Sequence, residues 1–264
     1  MGQFDDAYQR LRDYVGGADD YDDPAKVLAM AMVLRIEKTD PPGRAELLIA
    51  AARAVVLLCL DERSGGDGPW AAELDAWCAA RIRKIARRAR TSHWQAAQQV
   101  WGITASHGTA QARAFVPGRV GDVDPRIKRL QIGGTEVDGE LPSTPDGSVG
   151  TLVLWINPAL EMTVGKLAAQ VGHGAMLGVK LMSLEQARAW HQGGCPIEVC
   201  APEQAIWARL LDAESRGTMV AVRDAGFTEI APGSVTVIAQ WPSEPDSVPS
   251  PLPSRPLASG KSSE

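Results

Sequence analysis

Between Glu161 and Ala175 three polar side chains recur at helical spacing: Lys166, Gln170 and His173. Positions i, i+4 and i+7 fall on one stripe of a helix, and Leu167, Val171 and Ala175 fill the adjoining stripe, which can face a core. Lys166 lies in the first turn, where the macrodipole is positive and a cation costs roughly 0.3–1 kcal/mol. A charge set against the dipole suggests that an anion is handled there. On spacing alone, a solvated lysine, a surface glutamine and a satisfied helix histidine give the same pattern. Further on, Met219–Gln240 reads as strand, turn, strand, with Asp224-Ala-Gly226 and Pro232-Gly233 supplying the turn chemistry. Asp224, Thr228 and Thr236 from this segment could line the same pocket.

Elements must bring these two segments together, and their order is distinctive. The first segment carries Met162, Gly165, Lys166, Ala168, Ala169, Gln170 and His173 in a Met-x-x-Gly-Lys-x-Ala-Ala-Gln-x-x-His pattern. The second carries Asp224, Ala225, Gly226, Thr228, Ile230, Pro232, Gly233, Ser234, Thr236 and Val237. Together they resemble the type 2 peptidyl-tRNA hydrolases, over roughly Thr151–Pro242. The resemblance implies an α/β fold with a mixed four-stranded sheet flanked by helices. Two departures remove charge: Phe227 stands where the family has Arg or Lys, and the first strand ends in Asn157-Pro158 rather than in charged residues.

The implied reaction is hydrolysis of the ester that joins a peptidyl or N-acyl-aminoacyl group to the 3′ end of tRNA. The enzyme would then be an aminoacyl-tRNA hydrolase serving translation and ribosome rescue. Lys166, Asp224, Thr228 and Thr236 are its expected catalytic residues. Lys166 would stabilise the oxyanion or hold the terminal phosphate at the helix N-terminus, and Asp224 would orient or deprotonate water. Gly165, Gln170 and His173 are expected on the substrate side. The competing reading is a non-catalytic RNA- or protein-binding module that retains the fold; Phe227 and Asn157 favour it, the retained polar set favours the enzyme.

Composition sets outer limits. The chain has 264 residues, 45% of them hydrophobic, and a net charge of −5, which argues against general coating of nucleic acid. The longest apolar run, Leu47–Leu60, is broken by Arg53 and is short for a bilayer. Neither a membrane nor DNA is an expected partner. Cys59, Cys78, Cys195 and Cys200 are too few and scattered for a disulfide framework, so a reduced, cytoplasmic protein is expected. His191, Cys195 and Cys200 lack zinc-ligand spacing, and no metal or organic cofactor is expected.

Residues 1–26 read as an acidic, partly helical and frayed lead-in, 137–150 as a linker, and 243–264 as a disordered Pro/Ser-rich tail. Residues 27–136 resemble a worn copy of 151–242, giving two tandem copies. Ala31–Ile36 parallels Val153–Ile156, Gly43-Arg44 parallels Gly165-Lys166, and Trp77 and Trp94 parallel Trp190 and Trp207. Pro117-Gly118 is matched to Pro232-Gly233 on this scheme. Leu48 and Ala51 replace Gln170 and His173, which suggests a structural partner and a monomer with an internal pseudo-dimer. Arg81–Arg90 places six positive charges within ten residues. They form either a solvated face or a strip in which Arg83, Arg87 and Arg88 contact tRNA phosphates.

Overall fold

The structure is a computed structural model that describes residues 2–17, 22–224, 226 and 230–242. Its first half runs α1 (Gln3–Asp13), β1 (Leu28–Arg35), α2 (Arg44–Leu60), α3 (Ala71–Ala79), β2 (Arg83–Ala89), α4 (Thr91–Ala97), β3 (Gly102–His107), β4 (Ala110–Phe115), the short β5 (Gly118–Arg119) and α5 (Pro125–Lys128). The second half runs β6 (Leu152–Ile156), α6 (Val164–Gly178), α7 (Leu184–Gln192), β7 (Ile197–Cys200), α8 (Gln204–Ser215), β8 (Val220–Arg223) and β9 (Val235–Gln240).

Two mixed sheets share one plan. The strand order is β2-β1-β4-β3 in the first, where β5 also pairs with β1, and β7-β6-β9-β8 in the second. In each, the opening pair is parallel (β1 with β2, β6 with β7) and the remaining pairs are antiparallel. A tryptophan tie recurs as well. Trp77 Nε1 donates to the Arg83 carbonyl at 3.2 Å, and Trp190 Nε1 to the Pro196 carbonyl at 2.8 Å, each anchoring a helix to the parallel edge strand that follows.

The halves share a core. Helix α2 is apolar around most of its circumference, and such a helix must be covered on all sides. Leu47, Leu48, Ala51 and Val55 of α2 and Val164, Leu167, Val171 and Ala175 of α6 belong to one buried cluster. The outer faces have separate cores: Trp207 and Leu210 of α8 on the second sheet, Trp94 of α4 with Ile127 of α5 on the first. Glycine lets α6 fit between its own sheet and the first half. A Cβ at Gly172 would stand 2.9 Å from Val55 Cγ2, and one at Gly174 2.9 Å from Val237 Cγ1. Each helical glycine costs roughly 1 kcal/mol relative to alanine, and close approach on both sides offsets it.

Four expectations change. The lead-in is not frayed: α1 buries Phe4, Ala7, Tyr8 and Leu11, and the Tyr8 hydroxyl donates to the Met182 carbonyl of the second half at 2.9 Å. Residues 137–150 are more than a spacer, since Val137 is buried, Arg44 N donates to the Asp138 carbonyl at 3.0 Å, and Ala201 N to the Pro142 carbonyl at 2.9 Å. Pro117-Gly118 is not the counterpart of Pro232-Gly233. It follows the last long strand of its half, whereas Pro232-Gly233 precedes β9; the equivalent turn is Gly108-Thr109, between β3 and β4. The basic run is edge strand β2, whose alternation divides its charges between two faces. The expected tail, 243–264, lies outside the described residues.

Candidate active site

Helix α6 begins at a defined cap. Thr163 is the N-cap, and its Oγ1 accepts from Lys166 N at 3.3 Å. The other first-turn amides are also taken. Val164 N donates to Glu136 Oε1 at 3.2 Å, Gly165 N to Thr135 Oγ1 at 2.9 Å, and Leu167 N to the Thr163 carbonyl at 2.9 Å. Thr135 and Glu136 come from the segment joining the halves, so the chain itself fills the anion site of this helix end. A terminal phosphate held at this helix end would therefore rest on Lys166 and not on these amides. Gly165 is instead a packing position, because a Cβ there would stand 2.9 Å from Thr135 Oγ1.

Opposite α6, the register of β8 on β9 shifts between Val222 and Arg223, and the next residue, Asp224, is buried. Asp224 N donates to the Ser234 carbonyl at 2.9 Å, and Gly233 N to the Asp224 carbonyl at 2.7 Å, closing the neck of the turn. Gly226, at φ +79°, donates its N–H to Asp224 Oδ1 at 2.8 Å. Any side chain at 226 would strike Pro232, with a Cβ only 2.3 Å from its Cγ.

The two segments meet at the Asp224 carboxylate. Lys166 Nζ lies 2.5 Å from Oδ2, and Gln170 Nε2 donates to the same oxygen at 2.9 Å. Thr236 Oγ1 donates to Gln170 Oε1 at 2.6 Å, which sets the orientation of the amide. Lys166 keeps 13% of its side chain exposed and Asp224 5%, so the pair sits just below the surface. Such a carboxylate, accepting from an ammonium, an amide and a backbone N–H, is a strong anchor. The geometry therefore holds an ammonium in fixed position just below the surface, an arrangement that could stabilise an oxyanion developing on a carbonyl.

The remaining expected site residues are placed as follows. Thr236 is fully buried, because β9 is central and Gln170 covers it; it supports the amide instead of lining a pocket. Thr228 and Phe227 lie outside the described residues. His173 is half-buried and turns toward the first half, with Nδ1 2.9 Å from Lys84 Nζ. Arg83 and Arg87 share one face of β2, and Arg88 the other. Arg87 donates to the carbonyls of Lys128 at 3.2 Å and Leu130 at 2.8 Å, a structural role the charge run concealed. Arg88 bonds Gln131 and, with Ile132, Gly133 and Gly134, lines an open depression beside the Thr135 strap.

Asn157 holds two strands together, since its Nδ2 donates to the Val235 carbonyl at 2.8 Å and ties the end of β6 to β9. Lys84, Thr135 and Glu136 were missed in the sequence, since no local pattern connects them to α6. His191 packs on Phe4, with ring centroids 5.2 Å apart, and all four cysteines are free. Among the described residues no three of His, Cys, Asp and Glu group as metal ligands.

A lysine in the first turn of α6, paired with a buried, hydrogen-bonded aspartate just after β8, is the centre of this arrangement. The family model for peptidyl-tRNA hydrolase PTH2 matches residues 151–252. The chain is 38% identical over 96 residues to a peptidyl-tRNA hydrolase of Thermococcus onnurineus, covering 34% of this chain and 81% of that one. It is 36% identical over 92 residues to one of Haloquadratum walsbyi, covering 34% and 82%. With the human mitochondrial peptidyl-tRNA hydrolase 2 it shares 34% identity over 118 residues, covering 42% of this chain and 66% of the human one. The chain belongs to the peptidyl-tRNA hydrolase PTH2 family, through its second half.

Proposed function

We propose that the chain hydrolyses the ester between a peptidyl or N-acyl-aminoacyl group and the 3′ end of tRNA, releasing free tRNA. The observation that carries this reading is the Lys166–Asp224 pair at 2.5 Å, locked by Gln170 and Thr236 within the region that belongs to the family. In the proposed mechanism Lys166 stabilises the tetrahedral oxyanion. Asp224 aims Lys166 and orients the attacking water. The partner is tRNA rather than DNA or a membrane; no helix among the described residues is long and apolar enough to cross one. A cytoplasmic setting, inferred from composition, belongs to the same proposal.

The decisive experiment is release of N-acetyl-aminoacyl groups from tRNA in the presence of EDTA. Lys166→Ala and Asp224→Asn should each reduce kcat/KM on the order of tenfold or more, about 1.4 kcal/mol or more of transition-state stabilisation. Undiminished turnover in both variants would reject the site, and a need for added metal would reject the mechanism. A folded protein that binds tRNA without turnover would leave the binding-module reading.

We also propose that residues 27–136 are a degenerate copy of the same fold, acting as a built-in partner for 151–242. The shared strand order and the paired tryptophan ties support this. So does the burial of Leu48 and Ala51 in apolar packing, where α6 carries Gln170 and His173. A monomer in sedimentation equilibrium is expected; a stable dimer through the α2–α6 surface would contradict the arrangement.

A further inference from the structure

The first half does more than support α6. Lys84, on edge strand β2, reaches across the boundary between the halves to His173 Nδ1 at 2.9 Å. Its ammonium also lies 3.6 Å from Met176 Sδ and 4.7 Å from the centre of the Trp77 ring. The approach depends on Gly172, where a Cβ would come within 3.3 Å of Lys84 Cδ. The titratable groups near Lys84 are Cys59 of α2, Cys78 of α3 and His173; His173 faces Lys84 and Lys166.

Burial pushes the Lys84 amine down to about 7, with Cys59 and Cys78 acting in the opposite direction. Burial first, then Lys84 and Lys166, holds His173 well below the usual imidazole range. Two cations cannot share so short a contact, so His173 is the neutral member. Below about pH 7 Lys84 is an ammonium and can only donate, so there Nδ1 accepts and the imidazole proton resides on Nε2.

We propose that Lys84 is a positioning residue of the hydrolase site, contributed by the degenerate half: it fixes His173 as a neutral Nε2–H donor toward a substrate oxygen. The proposal rests on the ester-hydrolase reading for its substrate, but not for its structural content. It also excludes Nδ1 of His173 as the general base, one turn along the stripe from Gln170.

The test uses the full chain labelled with 15N-histidine, which has only four histidines. Two-bond proton–nitrogen spectra, with His173 assigned through His173→Gln, would be followed from about pH 5.5 to 8, the range in which imidazoles ordinarily titrate. Hydrolysis kinetics would be run in parallel for wild type and Lys84→Met. Wild-type His173 should stay neutral, as the Nε2–H tautomer below about pH 7 where Lys84 is protonated, and in Lys84→Met it should lose its single tautomer while burial still keeps it neutral. The variant should also lose several-fold in kcat if the oxygen is the ester carbonyl, or gain several-fold in KM if it belongs to the terminal nucleotide.

An Nδ1–H tautomer below about pH 7, or ordinary titration in wild type, overturns the proposal without any variant needing to fold. A His173 spectrum indifferent to Lys84→Met overturns it too, as does a lost tautomer with unchanged kcat and KM. If wild type does not hydrolyse the ester but the spectra follow expectation, the hydrolase reading fails and the cross-half positioning stands.

Discussion

Thr236→Val separates a residue that performs chemistry from one that holds another in place. The threonine is fully buried, so its hydroxyl cannot touch substrate, and valine nearly matches its volume. What is lost is the 2.6 Å bond to Gln170 Oε1, leaving a buried amide oxygen without its donor at a cost of about 1–3 kcal/mol. Without that bond the Gln170 amide no longer favours the orientation that gives its N–H to Asp224 Oδ2 at 2.9 Å. Among the described residues Asp224 would then be held by Lys166 and Gly226, and the aim of the ammonium should loosen. We expect chemical denaturation to show a loss of about 1–3 kcal/mol. Release of N-acetyl-aminoacyl groups from tRNA should show a kcat/KM reduced on the order of tenfold, with KM little changed. Thr236→Ser keeps the hydroxyl and should recover most of the activity while remaining less stable than wild type. If Thr236→Val lost stability but kept full kcat, the hydrogen-bond chain would not transmit to Lys166, and the reasoning would be wrong.

Lys84 makes stability depend on pH. Its amine sits at about 7 in the fold and at the usual 10.5 when unfolded, so the unfolded chain binds more protons between those values, and its contribution to stability rises with pH across that window. Lys84→Met should therefore stabilise the protein most below about pH 7, with the gain shrinking toward pH 10.5; a gain independent of pH would refute the assignment. Arg87→Gln should destabilise by about 1–3 kcal/mol, because two carbonyls lose their donor, whereas Arg88→Gln should leave the fold intact and flatten the salt dependence of tRNA affinity. An unchanged salt slope for Arg88→Gln would remove that residue from the tRNA surface. Gly172→Ala should cost about 1–3 kcal/mol by overpacking against Val55 and Lys84, and Val55→Ala in the same chain should recover part of it; an undisturbed melting curve would mean that the halves are packed less closely there.

The local chemistry of the second half was legible because it is written in short-range patterns. Helical spacing put Lys166 and Gln170 on one stripe, and turn residues at Gly226 and Pro232-Gly233 placed Asp224 between two strands. The strand-like runs Ala31–Ile36 and Val153–Ile156 were equally plain, since apolar stretches bounded by turn residues leave few alternatives, whereas β2 was hidden by its charges. The direction of each polar side chain was not legible. Thr236 and Thr228 look alike in sequence, yet Thr236 stands behind Gln170 because its strand is central in the sheet. Arg83, Arg87 and Arg88 look like one strip until strand alternation and the carbonyls of Lys128 and Leu130 divide them. The acidic lead-in and the joining segment appeared unstructured because neither has a strong pattern of its own; α1 gains its order from a core made by other elements, and Thr135 and Glu136 from the helix end they cap. Lys84 and His173 are far apart in the chain, and no periodicity connects them. Their contact exists because α2 and α6 share one core and bring β2 alongside α6. Sequence determines what can be decided by neighbours within a turn or a strand; which polar groups meet, and which of them reach the surface, is decided by packing between elements that the chain brings together only on folding.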